Sequence, residues 1–192
     1  MLSGIDLNYG PDSRVGPDGV TAVIAMGSNL GDRVAALRGA LAGLDATTGT
    51  AVVAVSRAYE TEPVGPAGQG PYLNAAAAVR TELEPRALLA RCVALEAQAG
   101  RPPAERREAW GPRTLDLDLL LYGELVIHDP PRLCVPHPRL HERWFVLKPV
   151  CDVAPDAVHP VLNRRMRDLL ADVEASPPGP EPRYAEGEAD CP

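Results

Sequence analysis

The chain has 192 residues, 45% of them hydrophobic, and a formal net charge of −7. That length suits one domain with a real core, and so acidic a surface argues against nucleic acid or an anionic membrane as partner. Lys148 is the only lysine, so a P-loop of the G-x-x-x-x-G-K-[ST] type is excluded and any bound phosphate must rely on arginine and metal.

Residues 1–18, rich in Gly, Pro and Asp, are expected to be disordered, and one ordered domain is expected over 19–173. "VTAVIAMG" reads as a first strand, broken at Gly27, Ser28 and Asn29. Leu30, Val34, Leu37, Leu41 and Leu44 then recur at steps of three and four, the stripe of an amphipathic helix. "TAVVAVSRAY" is a second strand, and "ETEPVGPAGQGP" has too many prolines and glycines for regular structure. "YLNAAAAVRTEL" is read as a third strand, because helix signals restart at Pro85, a favoured first helical position. From there Leu88, Cys92, Leu95 and Ala99 share a face, and Gly100 is a natural C-terminal cap. "TLDLDLLLY" is the fourth strand. The order β-α-β-β-α-β is the split βαβ, ferredoxin-like arrangement, with two helices on one face of a sheet.

After Gly123 come a hairpin strand in "ELVIHD", a proline-rich loop in "DPPRLCVPHPRL", and a last helix in "VLNRRMRDLLADV". These extra helices are expected to cover the other face of the sheet. The fold class is therefore α+β, a ferredoxin-like βαββαβ core elaborated to a three-layer αβα sandwich. Residues 174–192, acidic and proline-rich, are expected to be disordered. Cys92, Cys134, Cys151 and Cys191 form no C-x-x-C pair, so reduced thiols are expected. The first residues lack a basic, then apolar, leader pattern, and no apolar run is long enough to span a membrane; a cytoplasmic protein is expected.

The chemistry concentrates in "WGPRTLDLDLLLYG". Residues two apart on a strand share a face, so Asp116 and Asp118 project together, roughly 7 Å apart. Two such carboxylates can clamp one or two hard cations, magnesium foremost; they can also be solvated acids on an open sheet face. Arg113 precedes the pair by three residues, and Arg101, Arg106, Arg107, Arg132, His137 and Arg143 lie around it in sequence. Arginines around an acid pair suit a polyphosphate shared between guanidinium groups and metal. Tyr72 and Phe145, the only Phe, are candidate stacking faces for a flat ring, and Asn74 offers donor and acceptor together.

The same stretch resembles the signature of the 6-hydroxymethyl-7,8-dihydropterin pyrophosphokinases of folate biosynthesis. "AMGSNLGD", "YETEPVG", "PYLNAA", "LEAQAGR" and "VPHPRLHERWFVLKPV" resemble that family's other blocks, in order. The resemblance implies transfer of pyrophosphate from ATP to the hydroxymethyl oxygen of the pterin, with AMP released. It implies two magnesium ions on Asp116 and Asp118. Thr61, Val64, Tyr72, Asn74, Trp110 and Phe145 match its pterin-site positions. Glu96, Arg113, Leu119, Arg132, Cys134, His137 and Arg143 match its nucleotide-site positions, and Arg101 matches a catalytic-loop arginine. The expected partners are thus small molecules, ATP and the pterin, bound by a monomer. Three departures stand out: the loop from Arg101 to Trp110 is about two residues longer than is common, leaving the second loop arginine open between Arg106 and Arg107; Cys134 replaces a frequent threonine; and Glu62 replaces a frequent proline.

Overall fold

The computed structural model describes residues 4–7, 19–63, 68–102 and 111–175. Strand β1 (Val20–Ser28) lies in the middle of the sheet. Helix α1 (Arg33–Asp45) follows, then β2 (Thr50–Val55), β3 (Tyr59–Thr61), β4 (Tyr72–Thr81), α2 (Pro85–Gln98) and β5 (Asp116–Tyr122). The sheet order is β2-β4-β1-β5, antiparallel throughout, and β3 continues the line of β2 along β4.

Alternation along the strands separates two cores. On one face Ala22, Ile24, Met26, Leu73, Ala77, Leu117 and Leu119 pack against Leu37, Leu41 and Leu44 of α1 and Leu88, Cys92 and Leu95 of α2. On the other, Val23, Ala76, Leu120 and Leu121 pack against Leu147 and Val150 of α3 (Trp144–Val153) and Met166, Leu169 and Leu170 of α4 (Met166–Ala175). The expected helix–sheet–helix layering is what forms.

The details depart from the sequence expectations at five points. Asp32 caps α1, its carboxylate accepting from Ala35 N at 3.0 Å, so the helix starts at Arg33. Leu30, expected in its stripe, precedes the cap and is half exposed. A bulge in β5 shifts its register between Val23 and Ile24 of β1. Leu120 and Leu121 therefore both reach the α3/α4 core, and Tyr122 returns to the other face. The proline-rich loop contains a strand, Leu133–Val135 (β7), paired with Ile127–Asp129 (β6). The last helix starts at Met166, not Val161, because a small hairpin, β8 (Val158–His159) with β9 (Arg164–Arg165), precedes it. Finally, part of the segment expected to be disordered docks on the domain: the main chain of Ile5 bridges to Ala58, and Leu7, 2% exposed, enters the α1/α2 core.

Candidate active site

Three sheet positions line up across the strands to make the site floor. Gly27 of β1 pairs with Asn74 of β4 on one side and with Asp116 of β5 on the other. Side chains of directly paired residues share a face, so Asn74 and Asp116 flank a gap left by a residue with no side chain. A methyl group at Gly27 would lie 3.6 Å from Asn74 Oδ1, 3.8 Å from Asp116 Cβ and 3.9 Å from the Tyr72 ring. One step along, Ala25 pairs with Ala76 and with Asp118. The result is a cavity of about 100 Å³ whose lining includes Thr61, Tyr72, Asn74, Arg113, Asp116, Asp118, Arg143 and Phe145.

Its two ends differ in chemistry. At one, Tyr72 and Phe145 offer ring faces, and Asn74 Nδ2 donates to Thr61 Oγ1 at 2.8 Å. Phe145 arrives from the first turn of α3. Tyr59 meets α3 at both ends: its ring meets Trp144 of the first turn edge-on at 6.2 Å, and its hydroxyl donates to Asp152 of the last turn at 2.7 Å. The Arg143 guanidinium stands 5.6 Å from the centre of the Phe145 ring.

At the other end the acid pair meets its counter-charges. Arg101 and Arg113 each place a guanidinium nitrogen 2.5 Å from Asp116, one on each carboxylate oxygen. Glu96, 3% exposed, lies behind them: it accepts from Leu117 N at 2.7 Å and is paired with Arg101. Among the described residues, no guanidinium is ion-paired with Asp118 as Arg101 and Arg113 are with Asp116. Burial pushes the Asp118 carboxyl up to about 7, the negative charges of Asp116 and Glu96 add to that, and Arg113 and Arg143 oppose it. Two acids on one strand face are thus tolerated here because Arg101 and Arg113 balance Asp116, while Arg113 and Arg143 only partly offset the burial of Asp118.

The cavity brings together eight of the expected site residues, Thr61, Tyr72, Asn74, Arg113, Asp116, Asp118, Arg143 and Phe145. Arg101 and Glu96 join from behind through Asp116. The other expected nucleotide contacts lie off its walls. Leu119 is buried in the α1/α2 core. Arg132 is exposed in the turn between β6 and β7. Cys134 is buried in β7 and is disulfide-bonded, so the expectation of reduced thiols holds for Cys92 and Cys151 but not there. His137 is buried next to the bulge, its N–H donating to Leu120 O at 2.9 Å. Val64 and Trp110 lie outside the described residues, as do Arg106 and Arg107.

Residues 23–155 match the family model described as 7,8-dihydro-6-hydroxymethylpterin-pyrophosphokinase. The chain belongs to this family. It is 43% identical over 155 residues to the 2-amino-4-hydroxy-6-hydroxymethyldihydropteridine pyrophosphokinase of Methylorubrum extorquens, covering 81% of this chain and 94% of that one. It is 44% identical over 148 residues to the same-named protein of Pseudomonas aeruginosa, covering 77% and 88%. A crystal structure titled Plasmodium falciparum HPPK-DHPS A437G with pteroate has the same fold, with a TM-score of 0.62 at 14% identity; the match covers 82% of this chain and 44% of that one. Pyrophosphoryl transfer to hydroxymethyldihydropterin, a step of folate biosynthesis, is the reaction of this pyrophosphokinase.

Two residues that border the cavity have no site role in the sequence analysis. Gly27 and Asn29 stand there as strand breakers and within the block "AMGSNLGD". Gly27 is the open floor of the cavity. Asn29, 7% exposed, ties together two loops that border it. The block "AMGSNLGD" marks the segment as part of the family pattern, but a Gly and an Asn at a strand end are shared by ordinary turns and assign neither residue a contact.

Proposed function

We propose that this cavity carries out the transfer with ATP as donor, and that its two ends bind the two reactants. The observation that carries the reading is the juxtaposition of the acid–arginine end and the aromatic–amide end in one small cavity. Tyr72 and Phe145 stack on the pterin. Asn74 reads the polar edge of the ring through its amide, and Thr61 fixes the orientation of that amide. Arg113 and Arg143 face the phosphates, and Arg101, held by Glu96, reaches the same group through its position beside Asp116. Arg132, Cys134 and His137 lie on the margin of the sheet beyond β5, and the adenosine half of the nucleotide runs along that margin.

The donor set fits magnesium. Asp116 and Asp118 provide carboxylate oxygens on one strand face, and the raised Asp118 carboxyl marks a site short of positive charge. These two residues would hold the ions, two of them in this reading. When bound, magnesium supplies charge neutralisation across the phosphates and lowers the pKa of a hydroxyl it contacts. The chain itself contributes binding, orientation and charge. The ring site points the hydroxymethyl oxygen at the β-phosphorus, where a new P–O bond forms. The bond from that phosphorus to the α-phosphate oxygen breaks, AMP leaves, and the hydroxyl proton is lost to solvent. Positioning of this kind is the larger part of catalysis in phosphoryl transfer.

The test is a coupled measurement of AMP release from ATP with 6-hydroxymethyl-7,8-dihydropterin and magnesium. Stoichiometric AMP and pterin diphosphate are expected. Pyrophosphate release, or no turnover with an intact fold, would overturn the reading. In its finer assignments, the monomer is checked by sedimentation.

A further inference from the structure

Asn29 sits one residue past the end of β1, where the ladder to β5 runs out. Its main-chain N–H donates to Arg113 O at 3.0 Å, and its side-chain Oδ1 accepts from Arg113 N at 2.7 Å. The main chain of Arg113 is therefore gripped from both sides by one residue. On its other arm, Asn29 Nδ2 donates to Gln69 Oε1 at 3.1 Å and to Gly70 O at 3.4 Å. The orientation of the amide follows from its partners: an N–H on one side demands the oxygen, and a carbonyl on the other demands the nitrogen. Only Asn or Gln can do both, and the contact distances leave no room for a longer chain at a position 7% exposed.

The two partners belong to opposite ends of the cavity. Gln69 and Gly70 lead directly into Tyr72, at the aromatic end. Arg113 leads into Asp116, at the charged end. A second link runs in parallel, from Tyr72 OH to Gly111 O at 3.4 Å. The loop is also tethered to α1, where Arg33 Nη1 donates to Pro71 O at 2.7 Å. Arg33 holds the loop to the helix; within the network, Asn29 is the residue that holds the loop to Arg113.

We propose that Asn29 is a positioning residue for the transfer: its amide clamps the main chain of Arg113 to the Gln69–Gly70 loop and so sets the phosphate-binding guanidinium at a fixed distance from the ring site. The inference rests on the assignment of Arg113 to the phosphates made above. It touches no substrate, so its effect must travel through Arg113 and the loop.

The experiment is steady-state kinetics of the full chain with ATP, magnesium and hydroxymethyl dihydropterin, on Asn29→Ala, Asn29→Asp, Arg113→Ala and the Asn29→Ala/Arg113→Ala double variant. Asn29→Ala should lower kcat about 10- to 100-fold, as a misplacement of a reacting contact does. Asn29→Asp keeps the acceptor for Arg113 N but sets a carboxylate oxygen against Gly70 O on the loop arm, so it should recover part of kcat. The double variant should be no slower than Arg113→Ala alone, because with no guanidinium there is nothing to position. A double variant slower by the full Asn29→Ala factor would overturn the proposal, since the residue would then act by some route other than Arg113. Equal loss in Asn29→Asp and Asn29→Ala would overturn it too. An Arg113→Ala variant with normal kcat would instead sink the phosphate assignment, and the clamp with it. Should Asn29→Ala fail to fold, Gln69→Ala replaces it: releasing the loop arm should raise KM for the pterin several-fold, with kcat nearly kept, and an unchanged KM would count as refutation.

Discussion

On the α1/α2 face of the sheet, Ile24, Leu73, Leu117 and Leu119 meet an unbroken layer of helix side chains. On the opposite face the same strands carry Val23, Ala76, Leu120 and Leu121 at one end, and Gly27, Asn74, Asp116 and Asp118 at the other. Helices α3 and α4 cover the apolar end and leave the polar end open. Packing thus takes the whole of one face and one end of the other, and the site occupies the end that packing leaves open. A mutation on one face should move stability and not chemistry; on the open end it should do the reverse.

The sharpest way to break that division is Asp118→Asn. Turnover should fall at least about 10³-fold, since a carboxylate beside the transferred group is lost. Stability should move the other way. The folded protein holds the Asp118 carboxyl up at about 7, above its ordinary value, so the ionised acid weakens the fold as pH rises from about 4 through about 7. In EDTA, the variant should melt a few degrees higher than the parent at pH 8, and the gain should shrink by pH 5, where the acid is already protonated. A lower melting point at pH 8 would mean that the charge is needed by the fold. Leu117→Ala is the mirror experiment, one residue away on the closed face. Denaturant titration should show a loss of about 2–5 kcal/mol, with kcat per folded molecule nearly kept; a matching fall in kcat would erase the distinction between faces.

Much of this division was legible in the sequence. Period-two alternation in "TLDLDLLLY" places both acids opposite Leu115, Leu117 and Leu119, and the structure agrees. The helix stripes around Leu37, Leu41, Leu88 and Leu95 were equally plain, because a face of one helix is written within a dozen residues. What escaped depends on partners far away in the chain. The bulge that brings Leu120 and Leu121 to one side answers to the packing of α3 and α4. The docking of Leu7 depends on the bridge of Ile5 to Ala58 and on a core assembled from α1 and α2. Glu96 matched a nucleotide-site position, yet the structure has its carboxylate on Leu117 N and on Arg101, across 21 residues in the first case. Arg101 tests that arrangement. Arg101→Ala should lower kcat by about 10²-fold, the loss of a charge-assisted contact to the transferred group. Glu96→Gln, which still accepts from Leu117 N, should cost several-fold through a looser Arg101. A Glu96→Gln loss as deep as that of Arg101→Ala would make Glu96 a contact of the nucleotide itself.

The smallest expected effect is the most discriminating, because it separates the two faces at a single atom. Gly27 is the next-to-last residue of the central strand β1, where a glycine weakens the sheet by up to about 0.5–1 kcal/mol relative to alanine. Nothing in its backbone requires glycine, for its φ is not in the left-handed region, and a methyl group would meet only ordinary contacts at 3.6–3.9 Å. By the rules of folding alone, alanine is the better residue. Its methyl group would nevertheless stand among Asn74, Asp116 and Tyr72, on the floor where the pterin lies in the proposed complex. Gly27→Ala should therefore raise the unfolding free energy by up to about 0.5–1 kcal/mol while raising KM for the pterin several-fold and leaving KM for ATP nearly unchanged. A rise in both Michaelis constants would shift the floor toward the nucleotide; an unchanged pterin KM would show that the ring does not reach Gly27, and the glycine would then be an ordinary weakness of the strand.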